Sequence, residues 1–297
     1  MRCINSLGPL LFSLFSIGSA CAAPLTLTDD TGATIRLSGP AQRIIALAPH
    51  VVENLYAIGA EKQIVAAVDY SDYPAAAKNL PRVGGYSQFD VEAILVKKPD
   101  LIIGWASGNP SEQISKLRAL GVPIFLSQPN RFEDVAKELR QLGKLTGREV
   151  AAEQAATTFL GKLERLRKAN TSKPRVRVFY QIWQTPLMSI GGDQIISSAI
   201  AACGGENVFA ALRTMAPQIS EEAVLAADAE VFVAGGMGEV RKDWLDPWRR
   251  WKHLTAVKRD NLFFVLADLM QRHTPRLIDG TEQLCVHLDT ARARRPK

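Results

Sequence analysis

The stretch Asp90-Val91-Glu92-Ala93-Ile94-Leu95, followed by Pro99-Asp100-Leu101-Ile102-Ile103-Gly104, occurs twice in this chain in related form. The second copy is Ser220-Glu221-Glu222-Ala223-Val224-Leu225, followed by Ala229-Glu230-Val231-Phe232-Val233-Ala234, and the register between the copies has no gap. In each copy an N-cap residue opens a short helix, and an acidic residue then precedes a continuous apolar strand. Such strands are typical of parallel sheets covered on both faces, so the repeat predicts two similar α/β halves.

Strands and helices also alternate on both sides of the two copies. Predicted strands at 43–47 and 177–180 are each followed by a helix, and 122–126 and 262–266 are further strands. Alternating strands and helices form βαβ units, so each half is predicted to be a Rossmann-like lobe with a central parallel sheet.

One long helix is predicted between the halves. A helix of about 22 residues spans about 33 Å and acts as a stiff strut, whereas a hinge would be short and rich in glycine. We therefore expect a ligand cleft between the lobes and small lobe movements on binding. The predicted division is a signal peptide at 1–22, an N-terminal extension with a β-hairpin at 23–42, an N-terminal lobe at 43–146, the connecting helix at 147–170, a C-terminal lobe at 171–290 and a basic tail at 291–297.

The first residues resemble an export signal. An apolar run from Leu7 to Ala20 ends in Ala20-Cys21-Ala22, which fits a small-residue cleavage site. The run is shorter than the roughly 20 apolar residues that a membrane span needs. Lipid modification of Cys21 remains an alternative. The net charge of +6 comes from scattered basic residues, which favours a solvated surface over a nucleic-acid site.

Two cysteines remain once the signal is removed, Cys203 and Cys285. An even pair in an oxidising compartment indicates one disulfide, and two buried thiols are the alternative. No C-x-x-C motif is present, so neither zinc binding nor redox catalysis is indicated.

Aromatic residues gather where the predicted strands end. In parallel α/β sheets, ligands bind beyond the carboxyl ends of the strands, and two such lobes facing each other form a cleft. Flat rings there would suit a large planar or macrocyclic ligand, with Asp268 and Arg272 as polar groups that orient it. The alternative is that the rings pack loops onto the lobes. The four aromatic residues are Tyr70, Tyr86, Trp105 and Trp183.

Catalysis finds little support in the sequence. There is no G-x-S-x-G elbow, no P-loop and no H-E-x-x-H motif, so we do not expect an enzyme, although a two-domain cleft enzyme is the alternative from another class. No metal site is predicted, because the histidines are dispersed. His50 and His273 are weak candidates, because both follow strands and together could face a metal or a metal-centred macrocycle.

Glu92 and Glu222 occupy equivalent positions in the two repeats. Each lies in the first turn of its helix, where a negative charge interacts favourably with the helix dipole, and this local explanation is sufficient. The duplication nevertheless places one carboxylate on each lobe. Such a symmetric pair could dock onto a two-fold membrane partner that carries matching arginines.

Several segments closely resemble the cobalamin-binding members of the helix-strut class of periplasmic substrate-binding proteins, a class that also includes haem and siderophore binders. The resemblance extends over about 43–288 and implies a periplasmic protein that serves an ABC importer. Its most specific stretches are Tyr70-Ser71-Asp72-Tyr73-Pro74, 98–105, 203–207 and 217–220.

The resemblance implies a role for each matching position. Tyr70 and Trp105 would line the corrinoid site, and a loop from the second lobe would touch the ligand. Glu92 and Glu222 would engage arginines of a permease dimer in the inner membrane, and the two cysteines would form the family's disulfide. The protein would act as a monomer, use no cofactor and bind cobalamin non-covalently. The loop consists of Asp268, Leu269, Met270, Gln271 and Arg272.

The chain also departs from the pattern. Tryptophan stands in the cobalamin binders where this chain has Tyr86, Ala216 and Leu269, and His50 and His273 replace small or polar residues. A related corrinoid, haem, a ferric siderophore or another metal chelate therefore remains open as the ligand. A sensor subunit that transports nothing is a further alternative.

Overall fold

The computed structural model of this chain describes residues 24–235 and 242–296. The predicted signal peptide and Cys21 lie outside these residues. The described part begins with an antiparallel hairpin of two strands, β1 (Leu25–Thr28) and β2 (Thr34–Leu37), as the sequence predicts. Asp29 anchors its turn, because its carboxylate accepts hydrogen bonds from the backbone of Thr31 and Ala33.

The N-terminal lobe is built on a four-stranded parallel sheet. Its elements in chain order are β3 (Ile44–Ala46), α1 (Pro49–Ala57), β4 (Ile64–Ala67), β5 (Gly84–Gly85), β6 (Gln88–Phe89), α2 (Val91–Val96), β7 (Leu101–Trp105), α3 (Ser111–Ala119) and β8 (Ile124–Ser127). The sheet order is β4-β3-β7-β8, and β5 pairs with β6 in a small separate hairpin.

Two helices follow this lobe and pack against each other: α4 (Phe132–Thr146) and α5 (Glu149–Asn170). Gly147 ends α4 in the left-handed conformation, with φ of 69°, which glycine adopts without steric cost. The 22 residues of α5 match the predicted connecting helix.

The C-terminal lobe has a second four-stranded parallel sheet. Its elements are β9 (Val176–Gln181), α6 (Ile195–Ala202), β10 (Gly205–Asn207), α7 (Glu221–Ala227), β11 (Val231–Ala234), a 3-10 segment (Lys242–Arg250), α8 (Thr255–Lys258), β12 (Leu262–Phe264), α9 (Ala267–Met270) and α10 (Leu277–Ala293). The sheet order is β10-β9-β11-β12, the same as in the first lobe when strands are numbered within each lobe. The predicted duplication is thus confirmed at the level of topology.

The repeated helices α2 and α7 match residue by residue. The side chains of Asp90 and Ser220 cap them by accepting hydrogen bonds from backbone amides of the first turn. One apolar residue of each helix, Ile94 or Val224, is fully buried at the same position of the repeat. The exposed positions also coincide, since Glu92 and Glu222 both face solvent.

The core joins the lobes. One hydrophobic cluster runs from the N-terminal sheet through α4 and α5 to the C-terminal sheet and α10. The inner face of α5 contributes Ala152, Ala156, Phe159 and Leu163, all buried. Because α5 packs along this shared core, it connects the lobes as a rigid element.

The predicted disulfide is confirmed, because Cys203 at the end of α6 is bonded to Cys285 in α10. The predicted basic tail makes several contacts with the C-terminal lobe. Arg292 lies inside α10 and donates to the carbonyl oxygens of Pro174 and Cys203, and Arg295 pairs with Glu230. Interspersed acidic residues and free carbonyls give these arginines partners, so the chain end is held against the lobe. Among the described residues, no helix combines the length and the apolarity that a bilayer span requires.

Candidate functional site

The carboxyl ends of the two sheets meet at the boundary between the lobes. Trp105, the last residue of β7, lies with its ring centroid 5.8 Å from that of His273, which follows β12 and α9. Strand β3 ends beside β7 and leads into α1, so these two strands form the point where the chain order of the sheet reverses. Ligands of open α/β sheets bind at such a point.

Four rings form what we term the ring cluster: His50, Tyr86, Trp105 and His273. His50 and His273 lie edge to face with centroids 5.2 Å apart, and His50 lies 5.7 Å from Trp105. Tyr86 extends the cluster, with its ring 6.1 Å from that of Trp105. Three members come from the N-terminal lobe and His273 comes from the C-terminal lobe.

The buried side-chain amide of Asn109 holds together the part of the ring cluster that comes from the N-terminal lobe. Asn109 accepts a hydrogen bond from the backbone amide of Trp105 at 2.7 Å and donates to the carbonyl oxygens of Leu47 and Tyr86 at 2.9 and 2.8 Å. The Trp105 ring lies directly over Gly108, where a Cβ atom would overlap it. The end of β3, the β5–β6 turn and Trp105 are thereby held in one arrangement.

An ionic network, which we term the arginine bridge, connects the lobes beside the ring cluster. Arg272 of the C-terminal lobe donates to Glu53 of α1 at 2.8 Å and to Asp72 at 2.7 Å, and it also pairs with Asp268. Arg276 reaches the same Glu53 carboxylate at 3.2 Å, and its guanidinium stacks 3.7 Å from the ring centroid of Tyr73. Burial raises the pKa of Glu53, while Arg272 and Arg276 oppose the rise.

Three ring nitrogens of the cluster are buried without a hydrogen-bond partner among the described residues: His50 Nε2, His273 Nδ1 and Trp105 Nε1. Burial lowers the pKa of His273 to about 4. Burial is also the main reason why the pKa of His50 lies well below its ordinary value, and His273 and Arg272 add to the effect. Both imidazoles are therefore neutral near pH 7. Residues 24–235 and 242–296 hold no group of three or more His, Cys, Asp or Glu side chains arranged for a metal ion.

The remaining predicted contact residues are spread over different surroundings. Tyr70 lies on the rim, with 67% of its surface exposed. Trp183 is partly exposed, donates to the carbonyl oxygen of Thr185 and packs edge to face on Trp244. Gln271 donates to the carbonyl oxygen of Gly235.

Leu269 and Met270, two of the predicted contact residues, are buried in the C-terminal lobe. They lie in the short helix α9 and pack around Gly280 of α10. The resemblance implies a loop at 268–272, whereas the structure places its first three residues in helix α9, with the apolar pair buried.

Several residues of the site were missed by sequence reasoning. Glu53, Asn54, Asp72 and Arg276 all take part in contacts between the lobes, and Asn54 Nδ2 donates to the carbonyl oxygen of His273 at 3.0 Å. The signal for two of them was present, since Glu53-Asn54 interrupts the apolar run Val51-Val52-Leu55 right after the first core strand. Charged residues are almost never fully buried unless paired, so this interruption indicates a partner.

The two predicted docking carboxylates lie at equivalent places on the two lobes. Glu92 and Glu222 are exposed, and neither takes part in an ion pair within the described ranges. A backbone hydrogen bond in its own turn lowers the pKa of Glu222, followed by the Ser220 cap. The neighbouring Glu221 differs, because it is engaged by Arg250 and by Trp251 Nε1.

A surface groove of about 330 Å³ contains no residue of the ring cluster and lies between α1, α5 and Pro275, which precedes α10. Ala57, Phe159, Lys162 and Pro275 are among its lining residues. The ring cluster and the arginine bridge therefore define the candidate site by their chemistry, and this groove is separate from it.

The chain matches the model of the periplasmic binding protein family over residues 44–269. It is 33% identical over 275 residues to a vitamin B12-binding protein of Vibrio campbellii, a match that covers 92% of this chain and 98% of that protein. A vitamin B12-binding protein of Vibrio cholerae is 36% identical over 253 residues, covering 85% of this chain and 91% of that protein.

Comparison with solved structures also finds periplasmic binding proteins. The crystal structure of the periplasmic vitamin B12-binding protein BtuF of Vibrio cholerae superimposes with a TM-score of 0.79 at 37% identity, covering 85% of this chain and 98% of that chain. The periplasmic haem-binding protein RhuT of Roseiflexus shares the fold, with a TM-score of 0.75 at 23% identity over 84% of this chain and 99% of that chain.

Proposed function

Because this chain belongs to the periplasmic binding protein family, we propose that it binds cobalamin or a related corrinoid between its lobes and delivers it to an ABC importer. The observation that carries the proposal is the meeting of the ring cluster and the arginine bridge where the carboxyl ends of two matching sheets face each other. The relatives named for vitamin B12 binding align with nearly their full length, which supports the same class of ligand here.

The proposed site uses both lobes. Tyr70, Tyr86 and Trp105 contribute rigid aromatic area from the N-terminal lobe, which suits a large ring system. From the C-terminal lobe, Asp268, Gln271 and Arg272 offer hydrogen bonds to polar groups at the edge of the ligand, and Trp183 adds a partly exposed indole. Binding is non-covalent, and no step of the proposed role requires catalysis.

Delivery uses a different surface. Glu92 and Glu222, one on each lobe, are proposed to dock onto arginines of a permease dimer in the inner membrane. Their matching positions in the two repeats support this role, because a two-fold partner presents the same surface twice. In this proposal the protein acts as a monomer. It is exported to the periplasm by a signal peptide that is then cleaved.

Calorimetric titration with cyanocobalamin, dicyanocobinamide and haemin tests the ligand. We expect both corrinoids to bind with one-to-one stoichiometry and to raise the melting temperature, because a ligand that binds only the folded state stabilises it. Binding of neither corrinoid would overturn the proposal.

Haem is the second candidate, and the pair of neutral imidazoles at the lobe boundary is the observation that favours it. Imidazole is a common axial ligand of haem iron. Tight binding of haemin without binding of either corrinoid would decide for this alternative.

A further inference from the structure

We propose that His50 and His273, one imidazole from each lobe, coordinate the metal centre of the bound ligand whenever its axial positions carry exchangeable water. The inference rests on the proposed function, because it concerns how the same site holds a metal-centred macrocycle. It adds a chemical criterion for the ligand that aromatic contacts alone do not supply.

The placement of the two rings suits opposite faces of one flat ligand. His50 lies in the first turn of α1, just beyond β3 of the N-terminal lobe, and His273 lies between α9 and α10 of the C-terminal lobe. A planar macrocycle in a cleft between two lobes presents one face to each lobe. Its metal then has one axial position directed at each of them.

The unpartnered nitrogens indicate a missing partner. His50 and His273 are each only 3% exposed, and one ring nitrogen of each is buried without a hydrogen bond among the described residues. Buried polar atoms in folded proteins are nearly always paired with protein, ordered water or an ion, so each such atom calls for an explanation. Two of them on facing rings from different lobes share one explanation if both bind the same ligand.

The charged groups around the pair leave the imidazoles free to coordinate. Glu53 is the buried carboxylate of the arginine bridge, and both Arg272 and Arg276 already engage it. Asp72 and Asp268 are likewise paired with Arg272. Burial keeps both rings neutral, and the neutral imidazole is the form that binds metals.

The two rings are in direct contact, so a flat ligand must separate them before both can coordinate its metal. Metal–imidazole bonds of about 2.0–2.1 Å on both sides hold the two nitrogens about 4 Å apart. The ring centroids now lie 5.2 Å apart, with the rings in edge-to-face contact. A ligand must therefore part His273 from His50 and from Asn54, whose amide holds the His273 carbonyl oxygen. On each face of the macrocycle, an imidazole nitrogen replaces a water molecule bound to the metal. The water is released, and the oxidation state of the metal does not change.

Absorption spectroscopy of the complexes tests the proposal. Aquocobinamide and haemin carry exchangeable axial ligands, whereas the cyanide ligands of dicyanocobinamide block both positions. We expect wild-type protein to shift the spectrum of aquocobinamide and to give low-spin ferric haem in electron paramagnetic resonance, while dicyanocobinamide keeps its spectrum. His50→Gln and His273→Gln should each lose the shift, and His253→Gln, which changes an exposed imidazole, should retain it.

The outcomes separate this inference from the proposed function. Calorimetric binding of both corrinoids with an unchanged aquocobinamide spectrum would overturn axial coordination and leave the binding role standing. Absence of binding for corrinoids and haemin would overturn the proposed function itself. An absorption shift of aquocobinamide that survives in both glutamine variants would also refute the coordination by His50 and His273. If either variant fails to fold, the electron paramagnetic resonance spectrum of haemin bound to the wild-type protein is the test, and a high-spin signal would refute the coordination.

Discussion

At the scale of single residues, Trp105 is held in place by contacts from both lobes. Asn109 fixes its backbone, Gly108 leaves space for its ring, and His50 and His273 pack on it from both lobes. A large ring held in this way at a lobe boundary has the features of an interface anchor, since it loses little freedom when a ligand binds.

Replacing Trp105 with alanine should weaken corrinoid binding by about 1–3 kcal/mol, in line with buried aromatic anchors. The loss comes from removed contact area and from the gap left beside His50. Isothermal titration measures it, and Trp251→Ala is a matched control, because Trp251 is half-buried and bonded to Glu221 away from the ring cluster. An unchanged dissociation constant would remove Trp105 from the binding site.

Glu138 is a buried acidic residue that should make the stability of the protein depend on pH. It is 1% exposed in α4, and burial raises the pKa of its carboxyl from 4.5 to about 8, with Asn54 and Ser127 only partly opposing the rise. The unfolded chain ionises near 4.5 and the folded protein near 8, so between these values the unfolded state binds fewer protons. Stability due to this group is present at low pH and is lost as pH rises through that window.

The variant Glu138→Gln removes this titration while keeping the shape of the side chain. The free energy of unfolding of the variant, relative to wild type, should therefore increase between pH 5 and pH 8 by about 3–5 kcal/mol. Urea unfolding at several pH values measures the difference. His273, whose lowered pKa gives the opposite slope between about 4 and 6.5, is present in both proteins and cancels. Parallel stability curves would show that the Glu138 carboxyl is ionised in the folded protein.

At the scale of elements, the segment 267–276 is the main connection across the cleft. Its arginines bind α1, its histidine completes the ring cluster, and its apolar residues anchor it in the C-terminal lobe. Arg272 is central, because its side chain is only 11% exposed and its guanidinium contacts three carboxylates.

Arg272→Met should lower the free energy of unfolding by about 3 kcal/mol, the lower end of the range for breaking a buried ion pair. Arg276 remains beside Glu53 and limits the loss. Chemical denaturation measures it, with Arg249→Met as the control, since the pairs of Arg249 with Asp246 and Asp260 are exposed and should be worth less than about 1 kcal/mol. Equal effects of the two variants would show that the arginine bridge adds no stability.

The same segment marks the limit of prediction from sequence. The strands, the repeated helices and the connecting helix follow from apolar runs, caps and breakers, which act locally and are visible in the chain. The arginine bridge joins Arg272 to Glu53, which lies 219 positions away, and no local pattern encodes that pairing. The inward turn of Leu269 and Met270 depends likewise on Gly280 in a later helix.

At the scale of the whole molecule, the two lobes behave as one packed body. The shared core along α5 holds the C-terminal lobe to the connecting helix, and Asn170 Nδ2 at the end of α5 lies 3.6 Å from Sγ of Cys285, which forms the disulfide between α6 and α10. Gln128 Nε2 and Met215 Sδ, 4.0 Å apart, make a further contact between the lobes. These contacts agree with the expectation from the long connecting helix that the lobes move little when a ligand binds.

The packing of the two lobes against each other also sets the spacing of the two exposed carboxylates. This spacing depends on both lobes, because each lobe carries one of the two. Glu92 and Glu222 begin matching helices that are anchored by Ile94 and Val224 in the two cores. The proposed permease dimer would meet one negative charge on each lobe, and electrostatic complementarity of this kind contributes to partner choice.

The double charge reversal Glu92→Lys and Glu222→Lys should abolish uptake of the corrinoid while changing its affinity for the binding protein by no more than a few-fold. Both side chains are exposed and lie outside the ring cluster and the arginine bridge, so their change leaves the ligand site intact. Uptake into cells and calorimetric titration of the purified variant measure the two quantities separately. Glu112→Lys is the matched control, because Glu112 is an exposed acidic residue in the first turn of α3 without a counterpart in the repeat, and its reversal should leave uptake intact. If ligand affinity collapses together with uptake, the two carboxylates belong to the binding site and the docking role is wrong.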